Sequence, residues 1–490
     1  MNKTKKALLL LGAAIVSLVL FMLARTVRYG AGLPPIETAV ETAIPQGAAE
    51  RLAGSLRFPT ISHDDPAAFD AKAFRDLHAY LVDVFPRVHS RLQREIVGSH
   101  SLLYTWQGSD LSLKPVLLAG HLDVVPIEPG TEHKWKEDPF GGKVAEAFIW
   151  GRGAIDNKSA VMGTLEAVEI LVSEGFSPTR TVYLAFGHDE EVGGTRGARE
   201  IAALLKRRGD QLEMVLDEGG VIGDGILSGI STPVALVGVA EKGFVSIELR
   251  TSSAGGHSSL PTRESAIGIL SAAIARLEET PMPARLEGPT RQLFDRVGPL
   301  FSFPQRAVFA NLWLTRPIVL RNLEGSPVTN AMVRTTQAPT IFQAGTKDNM
   351  LPSQARAVIN YRISPGDSIA SIAEHIRRVI DDRRVDVKAV GNFSAEPSAV
   401  SSTDSDSFRI LEQTIRKVTP DAIVAPYLVV VATDARYYGY LTSNIFRFLP
   451  IRMAAADIEQ MHGIDERLGV RQYETAIRFY RQLILDTAGA

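Results

Sequence analysis

Cysteine is absent from the chain, and that one absence excludes disulfides, thiolate-held metals and cysteine nucleophiles together. It leaves the compartment open, because a thiol-free chain suits oxidising and reducing surroundings alike. A surplus of either charge is also missing. The net charge of -2, with no basic or acidic tail, argues against nucleic acid or an acidic polymer as partner. No internal repeat or low-complexity block interrupts the sequence, and the helical zinc motif HExxH does not occur. Any metal site must therefore be assembled from separate loops.

What is present begins with a hydrophobic content of 45% and a charged content of 22%, the balance of a globular protein able to build a sizeable core. Lys3, Lys5 and Lys6 precede ALLLLGAAIVSLVLFMLA, residues 7–24, an uncharged run followed by Arg25 and Arg28. That length reaches the lower limit for spanning a bilayer and exceeds the core of a cleaved signal. The reading is an N-terminal membrane anchor over 1–28 with its basic side in the cytoplasm and the bulk of the chain exported, periplasmic or extracellular/lumenal. Secretion after signal cleavage is the alternative.

Residues 29–49, rich in Gly, Pro and Ala without periodicity, read as a linker. Over 50–243, apolar strand-like runs alternate with helical ones, which predicts an α/β fold with a mostly parallel sheet flanked by helices. After Glu241-Lys242-Gly243 the texture changes to half-exposed strands and amphipathic helices. A smaller α+β domain over 244–394 is expected there, inserted into the first, which resumes over 395–490.

The chemistry gathers at strand ends. TVYLAF, the pattern of a buried strand, runs into GHDEEVGG, where Asp189, Glu190 and Glu191 stand in a row. Alone, such a turn reads as solvated loop. VLLAG ends in His121-Leu122-Asp123, setting an imidazole and a carboxylate on one side of an extended segment. Asp156 follows in the Gly-rich GRGAIDNK, where a helix cap is the simpler reading. Asp217-Glu218 then closes the apolar MVL. In a parallel sheet these ends share one edge, which chance explains poorly. Imidazole and carboxylate without thiolate favour zinc over cobalt or manganese. Three ligand carboxylates and a hydroxide balance two divalent cations, so the set argues for two ions.

In this order AGHLDVVP, GRGAIDNK, GHDEEVGG, LDEGG, GGHSS and MHGIDE resemble the motifs of the di-zinc metallopeptidases that include aminoacylase, carboxypeptidase S and glutamate carboxypeptidase. TPMPARLEG, PLFSFP and VTNAMVRTT are most similar to the carboxypeptidase S and N-fatty-acyl-amino-acid synthase/hydrolase branch. The resemblance implies a hydrolase that cleaves the amide bond of N-acyl amino acids or the C-terminal peptide bond of short peptides, and a lid that also forms a homodimer. Two zinc ions per chain are implied, held by His121, Asp156 as bridge, Glu191, His462 and Asp217, with Glu218 the alternative to Asp217. It makes Asp123 the partner that fixes the His121 tautomer, and Glu190 the general base acting on a metal-bridging hydroxide. Glu190 and Glu191 would diverge as neighbours in an extended segment do. His257 would donate to the oxyanion, from its own or a second subunit, Arg362 would hold a substrate carboxylate, and Asn330, through its amide, and Asn349 would add substrate contacts. Asp434 and Arg436 would support the site by ion pairing. The apolar stretch over 291–316 is open to three readings: acyl site, dimer surface or core. A small-peptide dipeptidase and a non-catalytic metal-containing binding protein are the rival functions.

Overall fold

Three apolar runs set the frame: strands Val116–His121, Val182–Gly187 and Met214–Asp217 are buried at every position. In this computed structural model, which describes residues 3–29, 38, 42–63, 65–227 and 229–489, they lie side by side and parallel. The expected linker falls partly outside those residues. Leu118 stands opposite Leu184 on one side and Leu216 on the other. These three leucines face a layer containing Leu165 and Ile477, while Leu117, Tyr183 and Val215 face another containing Ile201 and Leu205. A strand covered on both faces needs an apolar side chain at each position, which is why alternation is missing from these runs.

Among the described residues this sheet has ten strands. Ser101–Trp106 and Gln93–Val97 extend it antiparallel on one side. On the other, Ile445–Arg447 runs parallel to Met214–Asp217 and leads to Val234–Glu241, which carries Ile423–Val429 in parallel. Helices Lys158–Ser173 and Val470–Ala488 cover one face, and Ala198–Arg208 covers the other. The expected mostly parallel sheet is thus parallel at its centre and antiparallel both at its Gln93–Trp106 edge and around Val234–Glu241, which opposes Ile445–Arg447.

A second, antiparallel sheet of four strands runs Thr336–Ala344, Gln354–Ile363, Gly243–Ser252, Val385–Ala395. Helices Ala266–Glu279 and Ile369–Ile380 close it around its own core of Val245, Ile247, Leu270, Ile359, Ile372 and Ile376. Between the first and second of its strands in chain order, residues 288–333 fold as short helices that do not join this core. Leu293, Phe294, Val297, Phe301 and Leu312 pack on Val234, Leu236 and Ala425 of the large sheet. Phe309 stacks on both Phe294 and Phe301, with ring centroids 4.9 and 5.1 Å apart.

The first helix, Lys3–Tyr29, is 27 residues long and by length and composition is able to cross a membrane. Its apolar stretch is exposed along its length, and only its last turns touch the body. Phe294→Ala should lower unfolding stability by about 3–5 kcal/mol, read as the urea midpoint of the full chain in detergent, because Phe294 is 8% exposed. Trp313→Ala, at a site 55% exposed, should cost about 1 kcal/mol or less. Equal shifts for the two would refute the packing described.

Candidate metal centre

Because the central strands are parallel and in register, His121 lies opposite Gly187, and the loops after Gly187 and Asp217 emerge beside it. His121 Nδ1 donates to the Asp123 carbonyl at 3.0 Å and stands 3.3 Å from the Asp123 carboxylate. That fixes the proton on Nδ1 and leaves the Nε2 lone pair facing the cleft. Nε2 is 3.0 Å from Asp156 Oδ1 and 3.3 Å from Glu218 Oε1. On the far side of the same aspartate, His462 Nε2 is 3.1 Å from Asp156 Oδ2 and 3.3 Å from Glu191 Oε1. Two donor sets therefore share Asp156, one oxygen each.

Asp123 does more than orient His121. Its carboxylate also accepts the Ser62 hydroxyl at 2.7 Å and the N–H groups of Glu190 and Glu191 at 3.2 and 3.1 Å. Glu190–Val192 is a single 3-10 turn and not the extended segment expected. The two glutamates still diverge, because successive side chains of such a turn point about 120° apart. The turn closes through Gly193 and Gly194. A Cβ on Gly194, whose φ is +65°, would lie 1.9 Å from Asp434 Oδ1, so the second glycine of the pair in GHDEEVGG makes room for Asp434.

Burial and charge leave these groups out of balance. Burial drives the Glu190 carboxyl well above its usual range, helped by Glu218 and opposed by His121. Burial likewise pushes Glu218 up to about 8, with Asp156 adding repulsion. Burial raises Glu191 too, with His462 opposing it. Hydrogen bonds to Asp156 and Glu191 pull His462 up to about 10. Burial opposes the ionisation of Asp123, but His121 and Ser62 hold it below the ordinary carboxylate value. Acids forced up beside imidazoles forced up is the pattern of a cluster that either shares protons or exchanges them for cations. Aligned Nε2 lone pairs and carboxylate oxygens fit divalent metal, zinc among the candidates.

Of the Asp217–Glu218 pair, the acid brought to His121 is Glu218, the alternative and not the first choice of the sequence reading. Asp217 accepts the Glu218 N–H at 2.9 Å, and its strand continues the sheet through Phe448 N–H to its carbonyl at 2.7 Å. Adjacent side chains leave a strand end in different directions, and the Asn157 amide, which donates to Glu218, holds that one at the cluster.

Two residues inside the quoted motifs were given no role by the sequence reading. Glu466, fully buried, bonds Arg152 Nη1 at 2.5 Å and accepts the N–H groups of Ile155 and Asp156 at 2.8 and 3.2 Å. Arg152 in turn donates to the carbonyls of His462 and Gly463, each at 3.1 Å. This pair ties the Asp156 loop to the His462 loop, across 310 residues of sequence, and steadies His462 at φ +61°. Charged residues in GRGAIDNK and MHGIDE were visible, but nothing in either motif alone paired them.

The cluster opens on a cavity of about 580 Å³. Its wall includes Glu190, Arg362 and Arg436, with apolar Phe244, Val431, Ile458 and Met461. Arg362 lies 4.8 Å from the Phe244 ring centroid. Arg436 donates to the Thr433 carbonyl at 2.7 Å and lies 3.7 Å from Glu241. The wall draws no described residue from 288–333, so that stretch reads as core beneath an outer surface. His257, Asn330 and Asn349 are not on the wall either. His257 is exposed on a two-stranded ribbon, paired with Met350, and its ring accepts the Ser259 hydroxyl at 2.7 Å. Asn349 sits on the same ribbon turn, its carbonyl bonded by Ser258 N–H at 3.1 Å, and Asn330 lies in the helix Pro327–Val333.

An imidazole and carboxylate cluster around a shared aspartate, at the carboxyl edge of a helix-flanked sheet, defines a metal-dependent hydrolase of amide bonds. Residues 117–486 match peptidase family M20/M25/M40, and the chain belongs to that family. It is 43% identical over 484 residues, 96% of this chain and 92% of the relative, to probable carboxypeptidase S-like 2 of Dictyostelium discoideum. It is 41% identical over 442 residues, 89% of this chain and 85% of the relative, to N-fatty-acyl-amino acid synthase/hydrolase PM20D1 of Xenopus tropicalis. The fold superposes on the M20 family metallo-carboxypeptidase Sso-CP2 from Sulfolobus solfataricus with a TM-score of 0.64 at 18% identity, covering 90% of this chain and 99% of that one. The family and branch read from the motifs are those of these relatives.

Glu466→Gln should weaken binding of Zn2+ by about 10–100-fold in a chelator-competition titration, since it frees the loop that carries His462. Unchanged affinity in a folded variant would show that the Arg152–Glu466 pair does not position the site.

Proposed function

We propose that this hydrolase holds two zinc ions and cleaves the amide bond between an acyl group and an amino acid with a free carboxylate. The observation that carries the reading is Asp156, whose two oxygens face two separate histidine and carboxylate sets in the cavity that also holds Arg362. His121, Asp156 and Glu218 would bind one ion, and Asp156, Glu191 and His462 the other. Zinc, when bound, polarises the scissile carbonyl and lowers the pKa of water. Glu190 takes the proton of the attacking water and returns it to the leaving amine. Its buried setting, which favours the protonated carboxyl, suits it to hold that proton between the two steps. Asp123 keeps the Nδ1 proton of His121 in place throughout.

Arg362, held over the Phe244 ring, offers its planar donors to the substrate carboxylate. Val431, Ile458 and Met461 give the cavity an apolar lining on which an acyl chain can lie, consistent with the name of the PM20D1 relative. His257, with Asn349 beside it, would reach the oxyanion from the lid of a second subunit, since it stands outside the wall of its own cavity. The Lys3–Tyr29 helix anchors the enzyme, with the catalytic part exported.

Wild type and Glu190→Gln are to be compared on a panel of N-acyl amino acids and dipeptides, with zinc content measured on the same samples. The variant should lose about 10²–10⁴-fold in turnover while its zinc content stays intact. Preference for dipeptides would move the assignment to a small-peptide dipeptidase. Zinc-loaded wild type that cleaves no panel member would sink the substrate class and favour a binding protein.

A further inference from the structure

The helices over 288–333 carry an apolar surface as well as an apolar core. Along the helix Leu312–Leu323, the residues turned to solvent include Trp313, Leu314, Pro317, Ile318 and Arg321. At about 100° per residue these fall within about 140° of one another, so they form one face: four apolar side chains and, at its C-terminal end, an arginine. Trp313, Leu314 and Ile318 are 55%, 48% and 69% exposed. A face of this kind in water calls for a partner.

Its position names the partner. The N-terminal helix meets the body at this place through polar contacts. Buried Asn311 donates to the Met22 carbonyl at 3.3 Å and to the Thr26 hydroxyl at 3.4 Å. Arg25 donates to the Ala310 carbonyl at 3.1 Å, and Tyr29 to the Phe294 carbonyl at 2.7 Å. An apolar contact joins the two exposed surfaces: the ring of Phe21 lies edge-on to Trp313, centroids 6.2 Å apart. Phe21 is three residues, about 5 Å of helix rise, from the end of the apolar run at Ala24. Trp313 is thereby held at the depth where the run meets its flanking Arg25 and Arg28, the depth that indole and guanidinium groups favour in a bilayer.

We propose that the exposed face of Leu312–Leu323 lies in the headgroup and acyl boundary of the bilayer, continuing sideways from the anchor as an interfacial helix. The anchor then fixes the body against the membrane and does not merely tether it. This rests on reading Lys3–Tyr29 as a membrane anchor.

The chain supplies its own reporter. Of four tryptophans, Trp106, Trp135 and Trp150 are 1%, 9% and 1% exposed, which leaves Trp313 to sense lipid. Full-length protein is reconstituted into phosphatidylcholine and phosphatidylglycerol vesicles, isolated by flotation, and its emission measured with lipids brominated near the headgroup. A second chain, Ile318→Trp with Trp313→Phe, moves the reporter away from Phe21 along the face, and Trp313→Phe alone gives the background. Both reporters should shift to the blue and lose most of their emission to the brominated lipid. Quenching of Trp313 without that of the Ile318→Trp reporter would overturn the proposal, since contact with the anchor alone explains it. A blue shift without quenching would also overturn it, assigning the face to a second copy of the chain. Failure of every chain to float would remove the anchor reading and this inference together, and floated protein with neither reporter quenched removes the inference alone.

Discussion

Carboxylates that cannot all ionise together are the constraint on which the rest of this structure depends. Asp123, Asp156, Glu190, Glu191, Glu218 and Asp434 converge within one largely buried cluster, where each charge costs several kcal/mol unless it is compensated. The fold responds in two ways. Asp123 is compensated by protein donors and becomes a fixed strut. The carboxylates around Asp156 are left facing imidazole lone pairs, and their compensation comes from outside the chain. The parallel strands that deliver them are apolar for most of their length, and their polar side chains, apart from Tyr183, come at the last position, His121 and Asp217.

Much of this was legible because parallel strands encode the site in a simple way. A run that is apolar throughout marks a buried strand, and chemistry placed just after it must appear at the common edge. His121, Glu190 and Glu191 were readable as candidates on that logic, and Asp156 and His462 through the resemblance of GRGAIDNK and MHGIDE. What was not legible depends on pairs distant in sequence. Arg152 and Glu466 each look like an ordinary loop charge until the fold sets them 2.5 Å apart. Glu218 displaces Asp217 because an amide from Asn157 claims it, and no spacing rule carries that information. The turn at Glu190 was read as extended because its length is too short for periodicity to show.

The helical segment over 288–333 was ambiguous for a related reason. Its apolar residues serve two sides, one packed on the large sheet and one exposed beside the first helix, so no single amphipathic period describes it. Composition registered hydrophobicity without direction. Only the positions of Phe294 and Trp313 relative to Val234 and Phe21 separate the buried side from the outer one.

The chain crosses from one sheet to the other at Glu241-Lys242-Gly243, and this junction is built unevenly. Glu241 is clamped by Arg447 at 3.0 Å and by Thr433, while Lys242 reaches forward to the Arg334 carbonyl at 2.7 Å. Phe244 and Arg362 lie just beyond, on the second sheet, facing donors that belong to the first. On the proposed reading, the span between Arg362 and the scissile bond would be set by the angle between two sheets that each have a core of their own, as the jaws of a caliper are set by their pivot. A ligand that touched both jaws would measure that opening and be selected by its length. A ligand that touches only one, however tightly, reports nothing about the gap and leaves the reactive end unaligned.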